Sequence, residues 1–458
     1  MFGTRAMWIY WALITIGLIT YMTMRLMGED KSVFLPGKTS HGHYQIEMAC
    51  TACHGDAFGG TAVLQDACIN CHGEELKIAD DSHPKSKFTD PRNADRVASL
   101  DARVCVTCHV EHKEEITLAM GVTMPDDVCF KCHHDIAKDR PSHKGMAFNT
   151  CASAGCHNFH DNRALYEDFI AKHLDEPAVL EPAQNPARAD FATYTSMSTY
   201  PLDEHPLKVL GIKDKDGLSS IIDKDIEREW LETAHSKAGI NCSDCHIMGS
   251  PLDRNWVDKP QYTVCTQCHK TESKGFLAGK HGMRLAQKLS PMSPAMARIE
   301  MKEDAHDKQL TCLSCHGAHK FDTQYAAVDA CLGCHNDKHS LNYKNSRHYQ
   351  LFVNAKNADK GEIGVSCATC HLPRSTHKEN GKAMILVQHN QNDNLRPNEK
   401  MIRSVCMNCH GLGFSIDALA DQTLIVNNFS SKPTLHIQST ELVRKRIQET
   451  AKKKAASR

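Results

Sequence analysis

The longest apolar segment of this chain lies near its beginning. Residues 6–24 (AMWIYWALITIGLITYMTM) carry no charged side chain, and Arg5 and Arg25 flank them. As a helix rising about 1.5 Å per residue, this segment is about 28 Å long, close to the thickness of a hydrocarbon core. Its Trp and Tyr residues gather near the two ends, as aromatic side chains do at membrane interfaces. We therefore predict one transmembrane helix, an uncleaved signal anchor within residues 1–28.

A cleaved secretory signal is the alternative interpretation of this segment. Its apolar part is long for such a signal, and the residues that follow, RLMGED, contain no small-x-small cleavage site. Both features favour the anchor.

The remainder of the chain is polar, with a mean hydropathy of −0.45 and only 6% aromatic residues, which predicts no large aliphatic core. A Pro-rich stretch (DEPAVLEPAQNPARADF) is followed by a densely charged one (IKDKDGLSSIIDKDIEREW), and we interpret residues 176–232 as a linker. The basic residues 441–458 predict a helix-prone tail that is either solvated or paired with propionates, an acidic partner or anionic lipid headgroups.

Ten copies of Cys-x-x-Cys-His use all but two of the 22 cysteines. They are Cys50–Cys53–His54, Cys68–Cys71–His72, Cys105–Cys108–His109, Cys129–Cys132–His133, Cys242–Cys245–His246, Cys265–Cys268–His269, Cys312–Cys315–His316, Cys331–Cys334–His335, Cys367–Cys370–His371 and Cys406–Cys409–His410. The last two cysteines form a wider copy, CASAGCH, with Cys151, Cys156 and His157.

The histidine that follows every pair decides between the chemistries that use paired cysteines. A zinc ribbon or a disulfide framework does not need this histidine. Covalent c-type haem uses all three residues, two as thioethers and the third as the proximal iron ligand. In the wide copy the small residues ASAG can loop out between the anchors, with a disulfide as the alternative. Since only a haem there leaves no cysteine unused, we expect eleven covalently attached haems.

Eleven haems in 458 residues predict a mainly α fold with sparse secondary structure. We expect a haem-packed multihaem cytochrome c with one N-terminal transmembrane helix and almost no sheet. The motifs fall into a pentahaem module at residues 29–175 and a hexahaem module at residues 233–440. The formal net charge of −1 becomes clearly negative once propionates are added, and many of the 54 Lys and Arg are expected to pair with them. Nothing in this composition suggests nucleic acid.

Histidines outside the motifs are numerous enough to supply the sixth ligand of most irons, because the chain has 29 histidines in all. Two imidazole ligands leave the iron six-coordinate, and the chemistry then predicted is electron transfer. The distal candidates are His43 (or His41), His83, His112, His143, His160, His173, His235, His281, His319, His339 and His348, with His134 and His306 as further possibilities.

Several stretches of the second half resemble the family of hydroxylamine oxidoreductase, octahaem tetrathionate reductase and pentahaem nitrite reductase. They are HSKAGINCSDCH, TCLSCHGAH, ACLGCHNDKHSLNYKNSRH and GVSCATCHLPRSTH. The first half, with CVTCHVEH and the wide motif, is similar to class III and other periplasmic cytochromes. The anchor resembles that of membrane cytochromes that take electrons from quinol.

The resemblance implies a rival hypothesis, an enzyme with one open haem. Nitrite reductases of that family carry a proximal Lys, whereas all eleven motifs here end in His. Hydroxylamine oxidoreductases place an Asp and a His over the open haem, and Asp337 and His339 resemble that pair. The structural interpretation, in which Asp337 caps a helix or orients an imidazole and His339 ligates a neighbouring iron, is favoured, so we assign no catalytic residue.

The expected function is therefore electron transfer between a quinol-linked inner-membrane partner, a quinol-oxidising or cytochrome b-type subunit, and a periplasmic redox partner. Because c-type haem is attached outside the cytoplasm, we expect the haem body in the periplasm, tethered to the lipid of the inner membrane. The alternatives are an oxidoreductase acting on hydroxylamine, nitrite or tetrathionate, and a haem subunit of a larger respiratory complex.

Overall fold

The computed structural model describes most of the chain. The described residues are 3–55, 60–78, 83, 85–113, 128–140, 143–144, 157, 159–161, 165–186, 193, 195–196, 207–217, 223–248, 255–320, 322–357, 364–379, 382–395 and 398–456.

Short helices make up most of the regular structure. The α-helices are Thr4–Met27, Thr51–His54, Thr61–Ile78, Lys85–Thr89, Ala94–Ser99, Cys105–Cys108, Phe130–His133, Ile136–Asp139, Glu167–Lys172, Lys224–Leu231, Ala234–Ala238, Cys242–His246, Lys270–Ala278, Met283–Ala286, Thr323–Ala327, Asp329–Leu332, Lys338–Asn342, Arg347–Asn357, Cys367–His371, Asn392–Leu395, Asn398–Ser404, Leu412–Ala420, Gln422–Val426 and Ser439–Ala456. The 3₁₀ turns are Ser32–Phe34, Tyr44–Ile46, Pro91–Asn93, Ile212–Asp214, Tyr262–Gln267, Pro294–Met296, Glu303–Ala305, Cys312–Ser314, Tyr343–Asn345 and Cys406–Asn408.

Strands are few among the described residues. Ile247–Met248 pairs with Asn255–Trp256, and Arg374–Glu379 pairs with Lys382–Val387, both antiparallel. In the longer hairpin Arg374 lies opposite Val387 and Glu379 opposite Lys382. The predicted fold class, mainly α with sparse strands and one N-terminal apolar helix, is confirmed.

The N-terminal helix Thr4–Met27 is long and apolar enough to cross a membrane, and none of its residues is buried by protein. It ends at Gly28, whose N–H donates to the Met24 carbonyl. Its exposed apolar side chains would be stable in a lipid environment rather than in water. The same length and composition also fit a signal sequence near the N-terminus.

By its internal contacts the chain divides into two compact units. The first comprises residues 1–141 and 284–290, and the second comprises residues 142–283 and 291–458. The motif spacing extends the pentahaem module to residue 175, whereas residues 142–175 fold with the second unit. In the first unit Val128 is the one apolar side chain buried among the described residues, so protein alone supplies little hydrophobic core there.

The core of the second unit lies around four side chains that are almost fully buried: Leu165, Ile402, Leu412 and Ile416. The C-terminal helix Ser439–Ala456 covers this cluster through Val443. Two ion pairs hold the same helix, Arg444 with Asp175 (3.0 Å) and Arg446 with Glu167 (2.5 Å). The start of the predicted basic tail is therefore packed, while its last described turns are exposed.

The predicted linker also packs against the second unit where it is described. The backbone N–H groups of Leu180 and Gln184 donate to the carbonyls of Cys409 and Asn408, at 2.8 and 2.7 Å. Further along, the Asp216 carboxylate accepts a hydrogen bond from the Ser243 N–H (3.0 Å). Residues 176–186 and 207–217 thus lie along attachment motifs of this unit.

Candidate haem sites

Most of the regular attachment motifs form a short helical turn of their own, while Cys68–His72 lies within the longer helix Thr61–Ile78. The N–H of the motif histidine donates to the carbonyl of the first cysteine, at 2.8 Å in the motifs of Cys50, Cys105 and Cys406. Polar residues directly before the first cysteine start the turn: Asn241 and Ser366 each form a capping box. One such turn brings two sulfurs and an imidazole together over four or five residues, which is the local geometry that c-type attachment needs.

The tertiary structure sets ten motif histidines against a second histidine. The facing rings and the distances between their centres are His43–His72 (6.0 Å), His54–His112 (6.4 Å), His83–His133 (6.2 Å), His143–His157 (6.2 Å), His235–His269 (6.1 Å), His246–His319 (5.9 Å), His281–His335 (6.3 Å), His316–His389 (6.3 Å), His339–His371 (6.0 Å) and His348–His410 (6.3 Å).

This nearly constant separation fits one iron between two imidazoles. A metal–imidazole bond is about 2.0–2.1 Å long, and two such bonds plus the half-width of each ring give roughly 6 Å between ring centres. Direct ring packing would bring the centres closer, as it does for His246 on Trp256 at 4.7 Å. The residues present therefore fit a haem held by two cysteines, a proximal histidine and a facing histidine.

Of the eleven sequence-predicted distal candidates, nine face a motif histidine. The ring contacts shown for the other two are with phenylalanines: the His173 ring packs on Phe169 at 4.5 Å, and the His160 ring contacts Phe159 at 5.1 Å. The Nδ1 atom of His173 is hydrogen-bonded to the Glu176 carboxylate.

One facing histidine, His389, is absent from the predicted set. It follows the strand Lys382–Val387 and meets His316 after the chain has turned back through the hairpin. Its Nδ1 is held by the Val387 carbonyl at 2.9 Å. The sequence signal available was its position directly after an apolar strand, and nothing in that pattern points to His316.

The wide motif places its histidine like the regular ones. His157 faces His143 at 6.2 Å, within the range of the other pairs. Cys151 and Cys156 themselves lie outside the described residues.

The motif histidine His109, of the Cys105 motif, is partly buried, and this desolvation is the main cause that lowers its pKa.

Asp337 and His339 are occupied by structural contacts. Asp337 caps the helix Lys338–Asn342, accepting from the Ser340 N–H at 3.1 Å and the Ser340 hydroxyl at 2.8 Å. Its carboxylate also lies 3.6 Å from the His335 Nδ1. His339 faces His371, so the two residues do not converge on one open face in this structure.

In five of the ten facing pairs, a backbone carbonyl orients one of the two rings. Nδ1 of His112 bonds to Gly37, that of His246 to Val257, that of His339 to Ile425, that of His389 to Val387 and that of His410 to Ala178. Each bond places the proton on Nδ1 and the lone pair on Nε2, which is the tautomer a metal-binding imidazole needs. In His339 the Asn428 amide nitrogen also lies 3.3 Å from Nε2.

Burial keeps several of these imidazoles neutral. Desolvation is the largest cause that lowers the pKa of His281, His348 and His371 to about 4. A neutral imidazole has a lone pair available for iron at neutral pH.

Consecutive motifs touch through their sulfurs within each unit. The Cys68 and Cys105 sulfurs lie close together in the first unit. In the second unit the same holds for Cys265 with Cys312 and for Cys331 with Cys367. The cysteines that would hold neighbouring haems therefore lie close together in these three pairs of motifs.

Comparison with known proteins points to the same class. The sequence model of the cytochrome c3 family matches the chain twice, over residues 42–134 and 234–327. These ranges contain four and three of the regular motifs, so the match lies in both halves of the chain. No curated protein and no solved structure matches the chain. Neither match bears on the resemblance to the hydroxylamine oxidoreductase family.

The repeated family match and the attachment motifs define the class. The chain is a multihaem c-type cytochrome with covalently bound haem iron, and the chemistry of this class is electron transfer.

Proposed function

We propose that this chain is a membrane-anchored undecahaem cytochrome c. It passes electrons between a quinol-linked partner in the inner membrane and acceptors in the periplasm. The observation that carries the proposal is the set of ten facing histidine pairs, each containing a motif histidine.

The facing histidines favour conduction over catalysis. When bound, the haem irons supply one-electron chemistry at each site. At each of the ten sites two cysteines would anchor the haem, and the motif histidine and its facing histidine would both bind the iron. Iron held by two imidazoles would offer no place for a substrate and would change oxidation state with little rearrangement.

Contacts between consecutive motifs support a path in sequence order. In the second unit the contacting cysteines link the motif of Cys265 to that of Cys312, and that of Cys331 to that of Cys367. The Cys331 thiol is also close enough to Cys315 to help raise the pKa of the Cys315 thiol, which places the motifs of these two pairs near each other. In the first unit the helix Thr61–Ile78 holds the Cys105 motif, because Gln65 Oε1 accepts from the Cys105 N–H at 2.9 Å.

The helix Thr4–Met27 provides the tether in this proposal, with the haem body on the periplasmic side. A tether keeps the cytochrome at the membrane surface, where quinol-oxidising partners release electrons. The lysine-rich end of Ser439–Ala456 carries positive charge that suits anionic headgroups or an acidic partner.

One experiment tests haem number and coordination together. The full-length protein is purified in detergent, its intact mass gives the haem count, and the electron paramagnetic resonance (EPR) spectrum of the fully oxidised sample gives the spin states. Eleven haems, all low-spin, are expected. One high-spin iron in eleven would contradict a purely electron-transferring cytochrome and favour an oxidoreductase with one open haem. Hydroxylamine, nitrite and tetrathionate would then be the substrates to test.

A second experiment tests the anchor and the electron donor. Membranes that contain the full chain are compared with a variant whose residues 1–28 are replaced by a cleavable export signal. We expect quinol to reduce the haems of the full chain in membranes, while the variant is soluble after export and is reduced far more slowly. A full-length chain recovered in the soluble fraction contradicts the tether.

A further inference from the structure

The Nδ1 of the facing histidine His43 is hydrogen-bonded to a side-chain carboxylate. The Glu111 carboxylate lies 2.8 Å from this nitrogen, and the Ser40 hydroxyl lies 3.3 Å from it. A carboxylate only accepts, so the His43 Nδ1–H is the donor and Nε2 is left facing His72. Three other facing histidines, His112, His339 and His389, bond a neutral backbone carbonyl through Nδ1 instead.

Glu111 is held in place by a second bond and by its position in the chain. Its other oxygen accepts from the Ser40 N–H at 2.7 Å. The residue lies between His109, the proximal ligand candidate of one site, and His112, which faces His54 of another. Its side chain is half-buried, so solvent screens its charge only in part.

A negative charge bonded to an axial imidazole changes the iron that this imidazole binds. The carboxylate draws the Nδ1 proton and makes the ligand more basic. A more basic ligand stabilises ferric iron more than ferrous iron, and hydrogen bonding around the ligands is one of the protein's means of setting the potential. A carbonyl partner orients the ring in the same way without adding a full charge.

We infer that Glu111 is a positioning residue that lowers the reduction potential of the haem attached at Cys68 and Cys71, relative to the sites whose facing histidines bond carbonyls. The inference rests on the proposed function, in which His43 and His72 are the axial ligands. This site then gives electrons readily to its neighbours at Cys50 and Cys105, whose histidines flank Glu111.

The test is an EPR-monitored redox titration of the full-length holoprotein with Glu111→Gln. The component that contains His43 is identified first as the low-spin signal lost in His43→Ala. In Glu111→Gln that component should titrate higher, by about tenfold in its ferric–ferrous equilibrium, which is about 59 mV for one electron. The haem count and the number of low-spin signals should stay unchanged.

Glu176→Gln is the matched control. Glu176 also accepts from a histidine Nδ1, that of His173, and from a backbone N–H, that of Leu412 at 3.0 Å. Because the His173 ring packs on Phe169 rather than facing a motif histidine, this variant should leave every midpoint unchanged. A titration curve of Glu111→Gln that superimposes on wild type, or an equal shift in Glu176→Gln, overturns the inference.

Two outcomes separate this inference from the proposed function. If His43→Ala removes no low-spin signal, His43 is not a ligand and both fail at this site. If His43→Ala removes one low-spin signal but Glu111→Gln leaves its reduction potential unchanged, His43 is a ligand and only the proposed effect of Glu111 is wrong. If Glu111→Gln loses haem, the test is made on the wild-type protein instead. There, the signal that is lost in His43→Ala must have a lower reduction potential than the signal that is lost in His389→Ala.

Discussion

The imidazole rings of His316 and His389 lie 6.3 Å apart, although the two residues are far apart in sequence and only His316 belongs to an attachment motif. The Val387 carbonyl holds the Nδ1 of His389, so its Nε2 is available to a metal. His389 therefore completes a site that sequence spacing does not reveal.

Removing His389 should open one haem. We expect His389→Ala to convert one low-spin iron to high-spin, because the iron bound by His316 loses its sixth ligand, with the haem count unchanged. EPR of the oxidised protein measures this. His306→Ala is the control, since His306 follows a 3₁₀ turn and faces no motif histidine in the described ring contacts. Equal spectra for the two variants would exclude His389 as a ligand.

Gly37 should tolerate no side chain. A Cβ there would lie 2.6 Å from the His112 carbonyl oxygen, and His112 Nδ1 donates to the Gly37 carbonyl at 2.9 Å. His112 itself has a left-handed φ of 59°, so its backbone has little freedom to retreat. We expect Gly37→Ala to reduce stability by roughly 1–3 kcal/mol and to disturb the low-spin signal of the His54–His112 site.

Gly60→Ala is the matched control for that substitution, because a Cβ at Gly60 meets nothing within 4 Å. Thermal unfolding and EPR of the two variants give the comparison. If the Gly37→Ala protein is as stable as Gly60→Ala, the close approach of Gly37 to His112 does not limit which side chains are tolerated at position 37.

The wide motif should carry haem. His157 faces His143 at the spacing of the regular pairs, so Cys151 and Cys156 are expected to form thioethers rather than a disulfide. The double variant Cys151→Ala, Cys156→Ala should lose the mass of one haem, as should the same change at Cys50 and Cys53. Intact-mass measurement decides: an unchanged haem count in the wide-motif variant, with a loss at the regular motif, would favour the disulfide.

The C-terminal helix should loosen as pH rises. The hydrogen bond to Asp417 (2.8 Å) is the main cause that raises the pKa of His436, and Glu441 lies 3.1 Å away. A raised folded pKa means that this stabilisation is complete below the ordinary pKa of histidine and is lost as pH rises through the higher value. The effect should stay below about 1 kcal/mol because the His436 side chain is exposed.

Hydrogen exchange of residues 439–450 measures that change at mildly acid and mildly alkaline pH. Exchange should be faster, relative to the intrinsic rate, on the alkaline side. His436→Gln should remove the difference. A pH dependence that persists in His436→Gln would assign it to other groups.

The sequence by itself determined what is local. The regular attachment motifs that the structure describes fold into helical turns because their residues are adjacent, and the uncharged run at residues 6–24 has the length and composition of a membrane-spanning helix. The class of protein, the mainly helical fold and the N-terminal apolar helix follow from such local signals. Proximal histidines are equally local, since a fixed spacing from two cysteines defines them.

Only the tertiary structure decided which second histidine faces each of the ten motif histidines and what that second histidine bonds. His173 has a favourable sequence position, but Glu176 and Phe169 hold its ring elsewhere, while His389 reaches His316 through a hairpin. The contact of Glu111 with His43 joins residues from separate segments of the first unit. Such pairings depend on the path of the backbone between distant segments, and no local pattern of residues encodes that path.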